Sequence, residues 1–570
     1  MKFACFPTSD AIKTIFLVLG FYTALILILL FSLWLRSAFP IFAIADAAHD
    51  EGLFINLAAS IGAGNWLGDY NNLTHAKGVA YSIFLVANHI TGLPIKFSEH
   101  SLYLLSALFF ASVIGRLYNT RWANLITFAL LAFIPTAWSP GTSGRIMREG
   151  LYVSLSLFLL ALAIRCFVLA KSASIVDELR KKWLFLIALG LVAGTYWLTR
   201  EEGVWLLPSL AIIYAFWFSS RTLTFHSWRA AVFFIALPFI SALLVIGTIN
   251  TLNYYWYGVY RNNDFRSADF QSAYGALSRI RHEQWQRYVV FPKDARERAY
   301  RFSPAARELQ PYFEGEIGEN WRNIGCKQMG ITPCPEILSG WFMWALRDAV
   351  SAAGHYRSAK EAQSFYTKLA SEINIACDQH LSECLPYRQT MVPPWRDQYL
   401  LETAHASWAV LKKLITMDGA PIGIEASTGN PRNLELFALI TNGPLAAPAQ
   451  PVSNTGQTAS KFVSPRDDIR YQLAEYLAKA ESNITKFGIP TAIVISLAWV
   501  IFAVRRRRLD AGLVIVFSLV AAVGTRVLLL GFLDATSIPS NNMLYLSPAI
   551  PMALAIIPTV LFGIIAFGRK

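Results

Sequence analysis

The sequence predicts a mainly α, polytopic helical membrane protein that carries one large water-facing, mainly helical domain. Two observations of composition lead there, and one of charge. Of the 570 residues, 55% are hydrophobic and only 15% are charged, against about 25% charged in soluble domains. Mean hydropathy is +0.40, and the apolar residues gather in uncharged runs of about twenty, the length that crosses a bilayer core. The formal net charge of +13 collects between those runs. Length alone would suggest three or four soluble domains of about 150 residues. The composition excludes that, as it excludes a disordered chain and a small disulfide scaffold.

Ten apolar runs read as spans: 14–36, 98–117, 122–138, 149–170, 183–199, 203–219, 230–252, 487–504, 511–531 and 545–567. The first is too long for the apolar core of a secretory signal, so Ala43-Ile44-Ala45 is expected to stay uncleaved despite its small residues. Orientation follows from Lys and Arg in the short loops. With the N-terminus inside, the cytoplasmic segments hold sixteen basic residues, from Lys2 and Lys13 through Arg505–Arg508 to Lys570. Against them stand four acidic ones, Asp10, Asp177, Glu178 and Asp510. The segment 259–485 is nearly neutral, with 25 basic and 24 acidic residues. The basic excess therefore reports topology and not a nucleic-acid partner. Both termini are expected in the cytoplasm and the large domain outside.

Three regions result. Residues 1–258 form an N-terminal transmembrane unit with an outside loop at 37–97. Residues 259–485 form the extracytoplasmic domain, large enough for its own core. Residues 486–570 return the chain to the membrane. Within the domain, Trp341, Phe342, Trp344, Ala345, Phe365, Tyr366, Leu369 and Ile373 recur at helical spacing, and the Ala/Pro/Ser/Gly-rich stretch 442–460 reads as a linker. Four of the six cysteines lie here. Their short separations favour the local bridges Cys326–Cys334 and Cys377–Cys384, stable in an oxidising compartment. The rival reading is a zinc site using His380, which the lack of a CxxC pair disfavours. Cys5 and Cys166 are expected to be free thiols.

The first outside loop carries the most chemistry. Asp50 and Glu51 follow the first span closely, then an amphipathic stretch with Gly64-Asn65-Trp66, then Lys77-Gly78 before the next apolar run. A carboxylate at a membrane boundary can act as a general base toward a hydroxyl, and a lone Lys suits a phosphate as a point charge. The plainer alternative is that Asp50 and Glu51 cap or solvate a juxtamembrane helix.

These residues, in this order relative to the spans, resemble the GT-C glycosyltransferases. The nearest in pattern are the protein O-mannosyltransferases and the transferases that place aminoarabinose on lipid A. The resemblance covers mainly residues 37–205. It departs at Gly78-Val79, where that group often has Pro-Pro, and in span number, which is larger in its best-known members. The resemblance implies a GT-C type fold and a bacterial inner-membrane location. It also implies transfer of a sugar, with inversion, from a polyprenyl-phosphate carrier to an acceptor hydroxyl on the extracytoplasmic face. Asp50 matches the motif carboxylate that acts as base, with Glu51 its catalytic neighbour, and Lys77 the contact to the carrier phosphate.

Further candidates follow along the chain. The loop Ser139–Gly150 resembles the place of the superfamily's second acidic residue. This makes Glu149 an acceptor or donor contact, and Arg145 and Arg148 phosphate contacts, unless the arginines are interfacial anchors. Thr199-Arg200-Glu201-Glu202-Gly203 adds Arg200 as a phosphate contact and Glu201 and Glu202 as substrate contacts, against a merely solvated turn. Arg526 lies inside a span, where an ionised side chain is costly and normally functional or paired. It reads as a phosphate contact, with Asp534 as the partner in the plainer reading. Asn541–Pro548 resembles the final-helix entry beside the lipid-phosphate pocket, which adds Tyr545. His49 and His75 flank the acidic pair and the Lys, but their spacing matches no ligand signature. No metal site is assigned, and a divalent ion stays possible without being indicated. The expected partners are membrane lipid, the lipid-linked sugar donor, and a glycan, lipid or protein acceptor. The rivals are a transporter or flippase, for which paired repeats and interrupted helices are missing, and an anchored receptor or scaffold, for which ten spans are excessive.

Overall fold

A computed structural model of the chain describes residues 9–169, 174–220, 228–283, 286–418, 424–446, 462–463, 469–507 and 509–568. Most of the 442–460 linker lies outside the described residues, as do Cys5 and the cations Lys2, Lys171, Arg221, Arg508, Arg569 and Lys570.

The protein is mainly helical and polytopic. Among the described residues, eight helices are long and apolar enough to cross a membrane: Ile15–Arg36, Ile95–Tyr118, Glu149–Val168, Ile175–Thr199, Trp228–Tyr257, Ile469–Arg505, Ala511–Thr536 and Ile550–Gly568. The other two apolar runs form shorter helices, Arg121–Ala132 and Gly203–Ser219. The first stops because Pro135 and Pro140 each open a separate four-residue helix; proline lacks the amide that would continue the ladder. The second begins as a 3₁₀ turn, Gly203–Leu206, before Pro208 enters the first turn of Leu207–Ser219. Conversely, Ile469–Arg505 starts well before the apolar run at 487, because 469–486 is polar yet rich in helix-forming Ala, Leu, Glu and Lys.

Two large cores organise the described residues, beside a small third one of Leu35, Phe39, Trp138, Ala446 and Ala474. The first unites the spanning helices through residues such as Phe110, Leu157, Trp205, Leu513 and Ile550, and it takes in Val410, Leu414 and Phe437 from the segment between Trp228–Tyr257 and Ile469–Arg505. The second joins Phe270, Tyr274, Phe342 and Tyr366 to Leu53, Leu57 and Ala76 of the first loop. That loop is therefore held between membrane helices and the helices of the polar region. The residues predicted at helical spacing are buried in Ser339–Ala352 and Ala359–Asp378. Ser358 caps the second helix by accepting the Glu361 amide. Both local disulfides are formed, Cys326–Cys334 and Cys377–Cys384, so the thiolates a zinc ion would need are already used. Cys166 is a buried free thiol.

Candidate active site

The site is built on the first loop. After the first span, residues 41–46 run extended and are pinned to 427–446: the Ala45 amide donates to the Thr428 carbonyl at 2.8 Å and the Ala446 amide to the Ile41 carbonyl at 2.7 Å. A turn follows in which the Ala47 carbonyl accepts from both Asp50 and Gly52. A Cβ at Gly52 would stand 2.9 Å from that carbonyl oxygen, so the turn requires glycine. The helix Glu51–Gly62 then starts, with Asp50 at its N-cap position but with no capping hydrogen bond from the Asp50 side chain. The Asp50 carboxylate instead accepts from Lys77 Nζ at 2.5 Å.

The adjacent carboxylates face opposite surroundings. The Asp50 side chain is 46% accessible, whereas Glu51 is fully enclosed and receives Arg145 Nε at 3.1 Å together with the Ile44 amide. Burial pushes the Asp50 carboxyl up, but Lys77, Arg145 and Arg148 outweigh it and hold it below the usual carboxylate range. For Glu51 burial wins, and its carboxyl is raised. Burial lowers the Lys77 ammonium, against the pull of Asp50.

Lys77 is held from three sides. Its ammonium lies 5.3 Å from the centre of the Phe54 ring and 5.6 Å from that of Trp344. A Cβ on the next residue, Gly78, would overlap the Leu198 carbonyl. The Lys-Gly pair is thus pressed onto the end of Ile175–Thr199, whose following residue is Arg200. Arg200 is buried, pairs with Glu149, and reaches Glu202 at 2.6 Å. Its guanidinium lies 5.1 Å from the Tyr545 ring centre. Arg148 pairs with Glu201 at 2.6 Å, and Asn263 donates to the same carboxylate at 2.9 Å. Burial raises the Glu202 carboxyl, but Arg200, Arg526 and Arg148 bring it down to about 2.

Arg526 is fully buried. Its Nε and Nη2 donate to the Tyr545 carbonyl at 3.0 and 2.7 Å, while Nη1 is buried with no hydrogen-bond partner among the described residues. Asp534 is not its partner. That carboxylate accepts the amides of Ser540 and Asn541, because the turn after Thr536 must satisfy amides that the helix no longer serves.

The candidates Asp50, Glu51, Lys77, Arg145, Arg148, Glu149, Arg200, Glu201, Glu202 and Tyr545 therefore meet as neighbouring ion pairs and ring contacts, and Arg526 joins them through the Tyr545 carbonyl. The histidines go elsewhere. His49 reaches Asp348 at 3.4 Å between Trp321 and Trp344. Burial pushes the His75 imidazole, beside Asp264, down to about 4, so it is neutral near pH 7.

Three buried groups escaped the sequence reading. Lys96 Nζ donates to Glu99 at 2.7 Å and to the Arg145 carbonyl at 2.5 Å, and Tyr81 donates to Glu99 at 2.6 Å. A Cβ on Gly150 would overlap the Glu99 carboxylate. This trio fixes the Arg145–Gly150 backbone, which carries three of the candidates. The signal was a Lys and a Glu three residues apart at the head of an apolar run, where charge is costly unless paired.

The chain is similar to solved structures of an oligosaccharyltransferase and of ArnT. One is the archaeal oligosaccharyltransferase AglB from Archaeoglobus fulgidus, in complex with an inhibitory peptide and a dolichol-phosphate (TM-score 0.34, 11% identity, 92% of this chain and 56% of that chain). The chain thus spans little more than half the length of that protein. The other is ArnT from Cupriavidus metallidurans, bound to undecaprenyl phosphate (TM-score 0.30, 15% identity, 97% of this chain and 78% of that chain). Its apo state aligns with a TM-score of 0.30 and 14% identity over 96% and 78% of the two chains. No protein-family model matches the sequence, and no curated protein sequence does. At such low identity and TM-score, the functional reading rests on this chain's own residues.

Proposed function

We propose that the protein is an integral membrane glycosyltransferase of GT-C type, moving a sugar from a polyprenyl-phosphate carrier to an acceptor hydroxyl with inversion. With the basic loops in the cytoplasm of a bacterial inner membrane, the reaction takes place on the extracytoplasmic face. One observation carries this reading. Charges far apart in sequence meet as neighbouring ion pairs, in one of which a carboxylate, Asp50, stays open to water, while Arg526, bonded to the carbonyl of Tyr545 beside Arg200, keeps a buried donor unused.

The roles follow from those environments. Asp50 takes the proton of the acceptor hydroxyl as its oxygen attacks the anomeric carbon from the face opposite the phosphate. The bond from that carbon to the phosphate oxygen breaks, and the carrier leaves with the electron pair as a lipid phosphate. Its growing charge needs cations already in place, which Lys77, Arg200 and Arg526 supply. Lys77 is held by a half-exposed carboxylate, so an arriving phosphate draws it away from Asp50 and makes Asp50 a stronger base. Glu51 acts through Arg145 and the Ile44 amide, positioning the loop, while Glu149, Glu201 and Glu202 aim Arg200 and Arg148, and Tyr545 lies against Arg200.

The test is Asp50→Asn in purified, reconstituted protein assayed against a panel of polyprenyl-phosphate sugars. Wild type is expected to transfer from at least one member, and the variant to lose transfer at least a thousandfold while inserting normally. Full activity of the variant overturns the assignment.

A further inference from the structure

We infer that the helix Gln398–Thr416, which belongs by sequence to the water-facing region, lies in the membrane interface on the side of the active site, with Leu400, Leu401 and Trp408 in contact with lipid. Its two faces have separate fates. Val410 and Leu414 are buried in the core of the spanning helices. Ser407 meets Ala511–Thr536 so closely that a Cβ on Gly531 would overlap its hydroxyl, the small-residue contact by which membrane helices approach each other. Away from that contact Leu401 is 63% and Trp408 67% exposed, and Leu400, near the N-terminal end of the helix, is 70% exposed. Left to water, that stripe would expose three large apolar side chains whose removal from water is favourable.

The surroundings identify what covers it. One turn from Gly531 the spanning helix exposes Leu528, and Ile469–Arg505, which meets the other end through the Ser482 hydroxyl bonded to the Thr416 carbonyl at 2.7 Å, exposes Phe487. The helix is therefore packed against two helices long enough to span a bilayer, each of which exposes a large apolar side chain a few residues from the contact. Lys412 is exposed at the C-terminal end of the helix, where a long cationic side chain can reach the head groups, and Trp408 suits the same depth. The arrangement also bears on the site. Lys413 Nζ donates to the Asn541 carbonyl at 2.6 Å, and the next residue, Asn542, caps the turn that holds Tyr545. A helix seated in lipid would thus steady the segment bonded by Arg526.

The experiment uses the full chain in phosphatidylethanolamine/phosphatidylglycerol liposomes, with Cys5→Ser and Cys166→Ser removing the unbridged thiols. Nitroxide labels go at Leu401→Cys, Trp408→Cys and, as a control on the polar region, Lys368→Cys. Collision with oxygen and with the water-soluble complex Ni(II)EDDA is measured at each. Oxygen collisions should exceed Ni(II)EDDA collisions at 401 and 408, with Ni(II)EDDA access at least fivefold below that at 368. Equal Ni(II)EDDA access at all three overturns the inference in favour of a water-facing helix. Exclusion of both reagents at 401 and 408 overturns it in favour of a protein cover. Neither readout depends on sugar transfer, so the inference and the proposed activity fail separately.

Discussion

Lys77→Gln isolates what one cation does for the proposed base. Lys77 Nζ stands 2.5 Å from Asp50 Oδ1, and the Asp50 side chain is 46% exposed. Solvent screening therefore puts the pair near the water-like limit. Unit charges at that separation attract by about 1.7 kcal/mol at a dielectric constant of about 80, with about 7 kcal/mol at a constant of about 20 as the upper bound. The lower figure corresponds to about 1.2 pKa units. The sign follows from the resting state. The Asp50 carboxyl is held below the usual carboxylate range, so activity that needs it ionised is present above that pKa and lost as pH falls through it. Removing Lys77 raises the pKa, and the loss must begin at higher pH. The measurement is kcat/KM against pH, which reports groups of the free enzyme, where the Lys77–Asp50 pair is intact. Its acid limb should move up by about one pH unit in the variant. The acid limb of kcat should move less, because bound phosphate already competes for Lys77. A variant whose rate falls while the acid limb of kcat/KM stays in place would refute the pairing of cation and base.

Other outcomes follow from the same geometry. Gly78→Ala places a methyl against the Leu198 carbonyl, neither side of which is a flexible chain end; transfer should fall at least tenfold while Asp50 and Lys77 are both present, measured with the same donor. Glu51→Ala leaves Arg145 and the Ile44 amide without their buried partner and should cost about 3–5 kcal/mol, seen as a lowered Tm in detergent, with Glu51→Gln nearer wild type. Reduction opens two short loops, with cysteines 8 and 7 residues apart, each worth about 2.5 kcal/mol by chain entropy. The helices around Trp341 and Tyr366 should then show faster amide hydrogen exchange while the spanning helices do not.

Much of the fold was legible because a bilayer-length apolar run has few other uses. What was not legible has identifiable causes. Hydropathy sees the apolar part of Ile469–Arg505 but not its polar first turns, and it carries 122–138 across prolines that break the helix. The helix Gln398–Thr416, with Glu402, His405, Lys412 and Lys413, is too polar to read as membrane material, and only its packing against Ala511–Thr536 reveals which face is left over. At the site, the sequence identified the charges but not their partners. Asp534 looked as available to Arg526 as any acid, yet turn amides claim it. Asp50 and Glu51 are neighbours in sequence and alike in chemistry; one lies just before a helix and turns to Lys77, the other opens that helix and turns inward to Arg145.

Partnership also ranks the cations, which residue type cannot. Arg145 is tied to the fully enclosed Glu51, and Arg148 to Glu201, itself fixed by Asn263. Arg200 is shared between Glu149 and Glu202. Pulling Arg145 or Arg200 toward a phosphate would leave a buried carboxylate unpaired, at a cost of several kcal/mol, and pulling Arg148 would free the half-buried Glu201. Lys77 can move because the carboxylate it leaves is wet, and Arg526 need not move because one of its donors is unused. A lipid phosphate entering this cluster should therefore engage Lys77 and Arg526 directly and feel Arg200 as a fixed field. On that ordering, Arg526→Gln raises KM for the lipid donor, whereas Arg145→Gln lowers stability first.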